Sequence, residues 1–203
     1  MSMIGNSWSF DKYAFLTARN SYEMPFVRLD EQSVFRVERP RIVREQLHSG
    51  VRALMLKIFD TRDSETIWVA QNTNDDGDYN WFDSSTPALA ILKEIEEFLS
   101  SNPFEILTLI LEDCVTTSNG LAKVFKAARL TKYLLPLNKM PQHDGQSWPS
   151  VKDMVAADER LIVFTSDESK QLSEGIAYKW NFMMEIGKGV DVGHLALKES
   201  FYW

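Results

Sequence analysis

Short aliphatic and β-branched runs recur along this chain at Tyr13 to Thr17, Val51 to Phe59, Thr66 to Ala70, Phe104 to Leu111 and Arg160 to Thr165, with helical patterns between them. That alternation predicts βα units and a largely parallel sheet, the arrangement in which each strand is followed by a crossover helix. The clearest helical pattern runs from Pro87 to Ser100, where Leu89, Ile91, Leu92, Ile95, Phe98 and Leu99 fall close to helical spacing. Thr86 is placed to cap it, Pro87 suits the first helical position, and Asn102-Pro103 is the stop. Ser150-Val151-Lys152-Asp153 has the form of a capping box, so a second helix starts there and ends before the strand at Leu161. Residues 116 to 128 carry a third, less regular helical pattern.

Asn72 to Ser85, rich in Asp, Asn, Gly and Ser, is predicted as one long loop after the third run, where a parallel barrel carries its site loops. Asp75, Asp76 and Asp78 do not make it a calcium loop, because an EF-hand also needs a glutamate at its twelfth position and flanking helices. It reads as a solvated polar loop. Five runs fall short of the eight strands and about 250 residues of a full (β/α)₈ barrel. An open parallel sheet exposes a hydrogen-bonding edge and an apolar face unless a partner covers them. A truncated gene model, a shortened paralogue and pairing with another chain are all compatible with that pattern.

With 203 residues, 44% hydrophobic and 25% charged, the chain fits one globular domain, residues 1–203. A net charge of −7 and a pI near 5.0 argue against nucleic acid or a strongly anionic membrane as a partner for the molecule as a whole. A local basic pocket stays compatible with it. Cys114, the one cysteine, has no partner for an internal disulfide. Met1 to Trp8 lacks a charged start followed by an apolar run of signal-peptide length, so the chain as written reads as cytoplasmic. It would be secreted or membrane-associated if a signal segment precedes it. No apolar run approaches the roughly 20 residues that span a bilayer.

Several blocks in fixed order carry a family resemblance. They are Tyr13-Ala14-Phe15-Leu16-Thr17 running into Asn20-Ser21, the segment Glu45 to Leu56, Ile67-Trp68-Val69, and Glu105 to Asp113. Trp148 to Val155, Arg160 to Ser166 and Ser173 to Asn181 continue the series. Together they resemble the X-domain of phosphatidylinositol-specific phospholipase C, in the plant and fungal branch of PLC-like phosphodiesterases. The resemblance covers residues 8 to 184 and leaves 185–203 as a diverged tail. It implies an α/β fold, a PLC-like (β/α) TIM-type barrel incomplete at its C-terminal side, and a phosphoric diester hydrolase ancestry in lipid metabolism.

The resemblance also implies two catalytic histidines, one taking the proton of the inositol 2-hydroxyl as it attacks phosphorus and one protonating the leaving glycerol oxygen. Here Arg19 stands at the first place, within Leu16-Thr17-Ala18-Arg19-Asn20-Ser21-Tyr22, and Gln71 at the second. A guanidinium stays protonated and an amide does not titrate, so neither serves as an acid or base. His48 precedes a strand and falls at the wrong end of a barrel, while His143 sits in a Pro/Gln/Asp/Gly loop and His194 in the tail.

The calcium-dependent branch implies a site from an asparagine beside the first histidine, acids on the second strand and a glutamate ending the fourth. Asn20 and Glu112 match, but Met55 and Lys57 occupy the second-strand places, and calcium takes about six to eight oxygens. No metal or other cofactor is expected. The metal-independent branch has an arginine at the place of Lys57, which makes Lys57 either a phosphate contact or a strand-end lysine pairing with Glu112. Alternation puts Ala53, Met55 and Lys57 on one face, so the expected pocket holds Arg19, Asn20, Lys57, Gln71 and Glu112. Arg52 alternates with these and is expected to support the outer layer. Trp68, Trp81, Phe82, Trp148 and Trp180 read as core or loop anchors.

Three functions follow. One is a pseudoenzyme binding an inositol phospholipid or other phosphodiester. Another is an active phosphodiesterase using Glu112, Asp113 or His143 as its base. The third is a non-catalytic interaction fragment whose open edge a protein partner covers.

Overall fold

The computed structural model describes residues 8–19, 26–28, 34–36, 42–61, 64–70, 85–141 and 146–183. In chain order its strands are β1 (Thr17–Ala18), β2 (Phe26–Arg28), β3 (Val34–Arg36), β4 (Ala53–Thr61), β5 (Ser64–Ala70), β6 (Thr86–Pro87), β7 (Leu107–Cys114), β8 (Leu161–Thr165) and β9 (Ala177–Tyr178). The α-helices are α1 (Ile42–His48), α2 (Ala88–Ser101), α3 (Gly120–Ala127), α4 (Val151–Ala156) and α5 (Ser169–Glu174). The main sheet runs β6-β5-β4-β7-β8-β9, with β1 also paired to β4; β2 and β3 form a separate antiparallel pair.

Strand alternation sorts the aliphatic residues into two layers. Leu54, Leu56 and Ile58 of β4, Leu107, Leu109 and Leu111 of β7, and Leu161 and Val163 of β8 pack with Val43 and Leu47 of α1, the buried stripe of α2, and Leu121 and Phe125 of α3. The opposite face carries Ile110, Ile162, Phe164 and Ala177, covered by Phe10, Trp148, Met154 and Phe182. There Phe10 lies 4.9 Å from Phe15 and 5.3 Å from Trp148, ring to ring. Backbone bonds from Phe10 N–H to the Pro149 carbonyl (3.0 Å) and from Val151 N–H to the Trp8 carbonyl (3.1 Å) hold this aromatic strap in place.

The helices form where the periodicity predicts, with local corrections. In α2, Ile91, Leu92, Ile95, Phe98 and Leu99 are buried, each contributing about 1.5–3 kcal/mol and outweighing any terminal device. Asn102 ends it by donating from Nδ2 to the Phe98 carbonyl at 2.7 Å. Thr86 does not cap it, because Thr86 and Pro87 are drawn into β6 opposite Val69 and Trp68. At α4 the capping box forms: Ser150 Oγ accepts from the Asp153 N–H at 3.1 Å and donates to the Asp153 carboxylate at 2.7 Å. The fourth run begins and ends three residues later than predicted, at Leu107–Cys114, and leaves Phe104 54% exposed. Of the first run only Thr17 pairs, joined by Ala18, whereas Tyr13 and Phe15 pack into the aromatic layer.

The third run departs most. β5 is antiparallel to β4, with Lys57 opposite Ala70 and Phe59 opposite Trp68. Only residues 62 and 63 separate the two strands, and so short a link joins antiparallel neighbours; a parallel return needs a dozen or more residues. The parallel strands are therefore β1, β4, β7, β8 and β9. Among the described residues they form an arc of a barrel whose sheet does not close.

Two arginines fasten the end of the arc where the parallel strands begin. Arg52 Nε meets Glu105 at 2.7 Å, its Nη1 donates to the carbonyls of Leu47 and Val51, and its guanidinium lies 5.0 Å from the Phe98 ring centroid. Arg160, 2% exposed, binds Asp158 at 2.7 Å and donates to the carbonyls of Leu99, Asn102 and Glu105. Arg52 thus has the supporting place expected of it.

Candidate functional site

The expected site falls on the face of β4 that turns away from α1, α2 and α3. Leu54, Leu56 and Ile58 are buried beneath helices, so Ala53, Met55, Lys57 and Phe59 take the other face. In register, Lys57 stands opposite Glu112 of β7 on one side and Ala70 of β5 on the other. Glu112 is exposed, and Lys57 is half-buried. β1 pairs Ala18 with Leu54, and Ala18 packs toward the helix layer. Arg19 follows in the turn after β1, and it is exposed.

Lys57 and Glu112 therefore share one face of the adjoining strands β4 and β7, and Arg19 lies one residue past the end of β1, which pairs with β4. Asn20 and Gln71 lie outside the described residues, as do His143, His194, Trp81, Phe82 and nearly all of the Asn72 to Ser85 loop. Because β5 runs backwards, Ala70, the residue before Gln71, lies opposite Lys57 and not at the far rim where a parallel strand would end.

Cys114 continues the Glu112 face and pairs with Phe59. Burial pushes its thiol up, the Lys57 ammonium acts against that, and the charges of Asp113 and Glu112 add to the rise. The alternation of Ile110, Glu112 and Cys114 was signal enough to place it beside the pocket.

Asp113 belongs to the other face. Its carboxylate accepts from the Val115 N–H at 2.9 Å and Thr165 Oγ1 at 2.8 Å, while its own N–H donates to Ser166 Oγ at 2.8 Å. Burial raises its pKa, those bonds and the Lys170 charge oppose the rise, and Asp167 adds to it; the net direction is up. As an alternative base it points away from Arg19 and Lys57, since it shares the parity of the buried Leu109 and Leu111.

Asp60, which the sequence reading did not single out, ties the end of β4 to the turn after β7. It accepts from the Thr116 N–H at 2.8 Å, the Thr116 hydroxyl at 3.0 Å and the Thr117 N–H at 2.6 Å. Burial alone would raise its pKa, but the bonds from Thr116 and Thr117 together outweigh it and hold the carboxyl below its usual range. Behind β7 and β8, Lys170 and Glu174 form a buried pair at 3.0 Å, and Glu174 also accepts from the Ala122 N–H of α3 at 2.8 Å.

His48 ends α1 at the beginning of β4, exposed, with its ring 5.9 Å from that of Phe98. It is remote from the Lys57 end of the strand, as expected. Trp148 is core and Trp68 half-buried, whereas Trp180, 46% exposed with Lys179 Nζ 4.3 Å above its ring, is not core, which leaves the loop-anchor half of its reading. Among the described residues no group of three or more His, Cys, Asp or Glu side chains is arranged to hold a metal. Nor is any described helix long and apolar enough to cross a membrane.

The arc of parallel strands β1, β4, β7, β8 and β9 aligns with solved phospholipase C structures. The PLC21 crystal structure from S. officinalis aligns with a TM-score of 0.55 at 15% identity, covering 84% of this chain and 21% of that one. The phosphatidylinositol-specific phospholipase C of Listeria monocytogenes aligns at 0.51 and 15% identity, covering 84% of this chain and 57% of that one. At such identity these likenesses show the fold. The PI-PLC X 1 family profile matches residues 11–190. The PI-PLC X domain-containing protein At5g67130 of Arabidopsis thaliana is 40% identical over 187 residues, which is 91% of this chain and 42% of that protein. The chain belongs to the PI-PLC X family, and it spans less than half the length of that curated relative.

Proposed function

We propose that this X domain holds a phosphodiester headgroup of the inositol phospholipid class between Arg19 and Lys57 and cleaves it weakly or not at all. The pairing of β1 with β4 supports the reading, because it leads Arg19, the residue that by resemblance stands at a family histidine position, toward the Met55–Lys57 end of β4. Two cations suit the non-bridging oxygens of a phosphate, and neither takes a proton from a hydroxyl. Loss of one acid or base removes about 10²- to 10⁴-fold in rate, and because such a pair acts as a unit the two losses do not simply multiply; with Arg19 and Gln71 in both places most of the rate is gone.

The donor set does not fit calcium. At the second-strand places β4 offers a thioether at Met55 and an ammonium at Lys57, leaving Glu112 as the matching oxygen ligand within the described residues. The positive charge a cation would supply to a phosphate is supplied in this reading by Lys57 and Arg19.

The test is hydrolysis of phosphatidylinositol and of a soluble inositol phosphodiester analogue, with and without calcium, by the wild type and an Arg19→His/Gln71→His double variant. The expected result is a silent wild type and a double variant that gains turnover without calcium. Turnover by the wild type would overturn the reading and send the search for a base first to Glu112, the carboxylate beside Lys57.

A further inference from the structure

Residues 114–143 contain Lys123, Lys126, Arg129, Lys132 and Lys139 and not one Asp or Glu, in a chain that carries 29 acidic residues and a net charge of −7. Four of these cations recur at every third position through α3 and the turn that follows it. Lys123, Lys126, Arg129 and Lys132 are all exposed. Lys132 pairs with Glu96 at 3.1 Å. Among the described residues no carboxylate comes within salt-bridge reach of Lys123, Lys126 or Arg129. Lys123 and Lys126, three apart on α3, share a helix face, and Arg129 follows two residues past the end of the helix, at Ala127.

Arg129 adds a second, independent mark. The end of α3 closes as a Schellman motif, with Leu130 N–H donating to the Phe125 carbonyl and Arg129 N–H to the Lys126 carbonyl, both at 3.0 Å. Arg129 takes the left-handed position of that motif at φ 62°, where glycine is the unstrained choice.

We infer that the exposed face of α3 is a docking surface for an acidic polypeptide segment of another protein. This goes beyond the phosphate pocket and does not depend on it, since α3 lies in the helix layer on the far side of the sheet from Lys57. An anionic bilayer fits this face less well. The outward positions between the cations include Ala122 and Ala127, and the large exposed apolar side chains among the described residues, Trp8, Leu16, Phe104, Leu172 and Trp180, are elsewhere, so the stripe has no anchor to enter lipid. A broad anionic surface would also meet the acidic remainder of the molecule, whereas a narrow acidic segment touches the stripe alone.

Binding of a fluorescent oligo-glutamate peptide to the full chain, followed by anisotropy at low and at roughly physiological salt, tests this. Affinity should fall steeply with salt, and Lys123→Glu/Lys126→Glu/Arg129→Glu should weaken binding by about tenfold or more. Arg129→Gly separates recognition from folding: it relieves the left-handed strain, so Tm should hold or rise while affinity drops a few-fold. Lys123→Glu alone should weaken binding more than Lys152→Glu, the same single charge reversal on α4, which should stay within about twofold of wild type. Equal loss with Lys152→Glu, or no peptide binding at low salt, overturns the proposal. So does charge-reversal-sensitive flotation with phosphatidylcholine/phosphatidylserine vesicles in the absence of peptide binding, which would assign the stripe to membrane.

Discussion

At the scale of single residues, the polar side chains that matter most to the fold are those the sequence gives least reason to notice. Arg160 satisfies three backbone carbonyls at the ends of α2 and β7 from a site 2% exposed. Arg160→Ala leaves those acceptors buried without a donor and should cost about 3 kcal/mol or more in urea unfolding, with Arg160→Lys recovering part of it. Asp60 and Asp113 make opposite contributions to pH dependence. The carboxyl of Asp60 lies below its usual 3.8 in the fold, so its stabilisation is complete above that value and is lost as pH falls through the folded one. Asp113 lies above 3.8, so the folded state keeps a proton the unfolded chain has released, and stability falls as pH rises from 3.8 through the folded value. Unfolding from about pH 3 to about pH 7 should show Asp60→Asn losing its deficit toward acid, while the advantage of Asp113→Asn over wild type disappears there. A deficit of Asp60→Asn that is unchanged across the range would contradict the Thr116 and Thr117 bonds as its source.

At the scale of elements, caps and close approaches set where helices start, and tertiary pairing sets where strands do. Ser150→Ala removes the capping box of α4 and should cost about 1 kcal/mol, read from the shift in denaturation midpoint. Gly120, at the start of α3, has no room for a side chain: a Cβ there would sit 2.8 Å from Val115 Cγ1 and 3.4 Å from Ile67 Cδ1. Gly120→Ala should therefore cost about 1–3 kcal/mol despite alanine's better helix propensity, and a stabilised variant would show that α3 does not pack so closely. The β4–β5 hairpin was readable in advance, because six residues between Phe59 and Thr66 are too few for a parallel crossover. The short β6 and β9 were not, since two-residue strands exist only through the neighbours they pair with.

For the whole molecule, the two-layer arc predicts a gradient of protection. Amides of β4, β7 and the β7–β8 interface, which pair on both sides and lie beneath both apolar layers, should exchange hydrogen slowest, and those of the edge strands β6 and β9 fastest. Uniform protection across the sheet would argue against the open order described above. The sequence by itself determined the α/β class, the helix α2 with its buried stripe, the capping box at Ser150, the face shared by Met55 and Lys57, and the family. These rest on local periodicity or on ordered motifs, both written along the chain. Only the tertiary structure decided that Lys57 stands between Glu112 and Ala70, that Asp113 turns to the helices, and that Asp60 clamps the turn after β7. Register and strand direction depend on which distant segments meet across the sheet, and a one-residue slip would send every side chain to the other face.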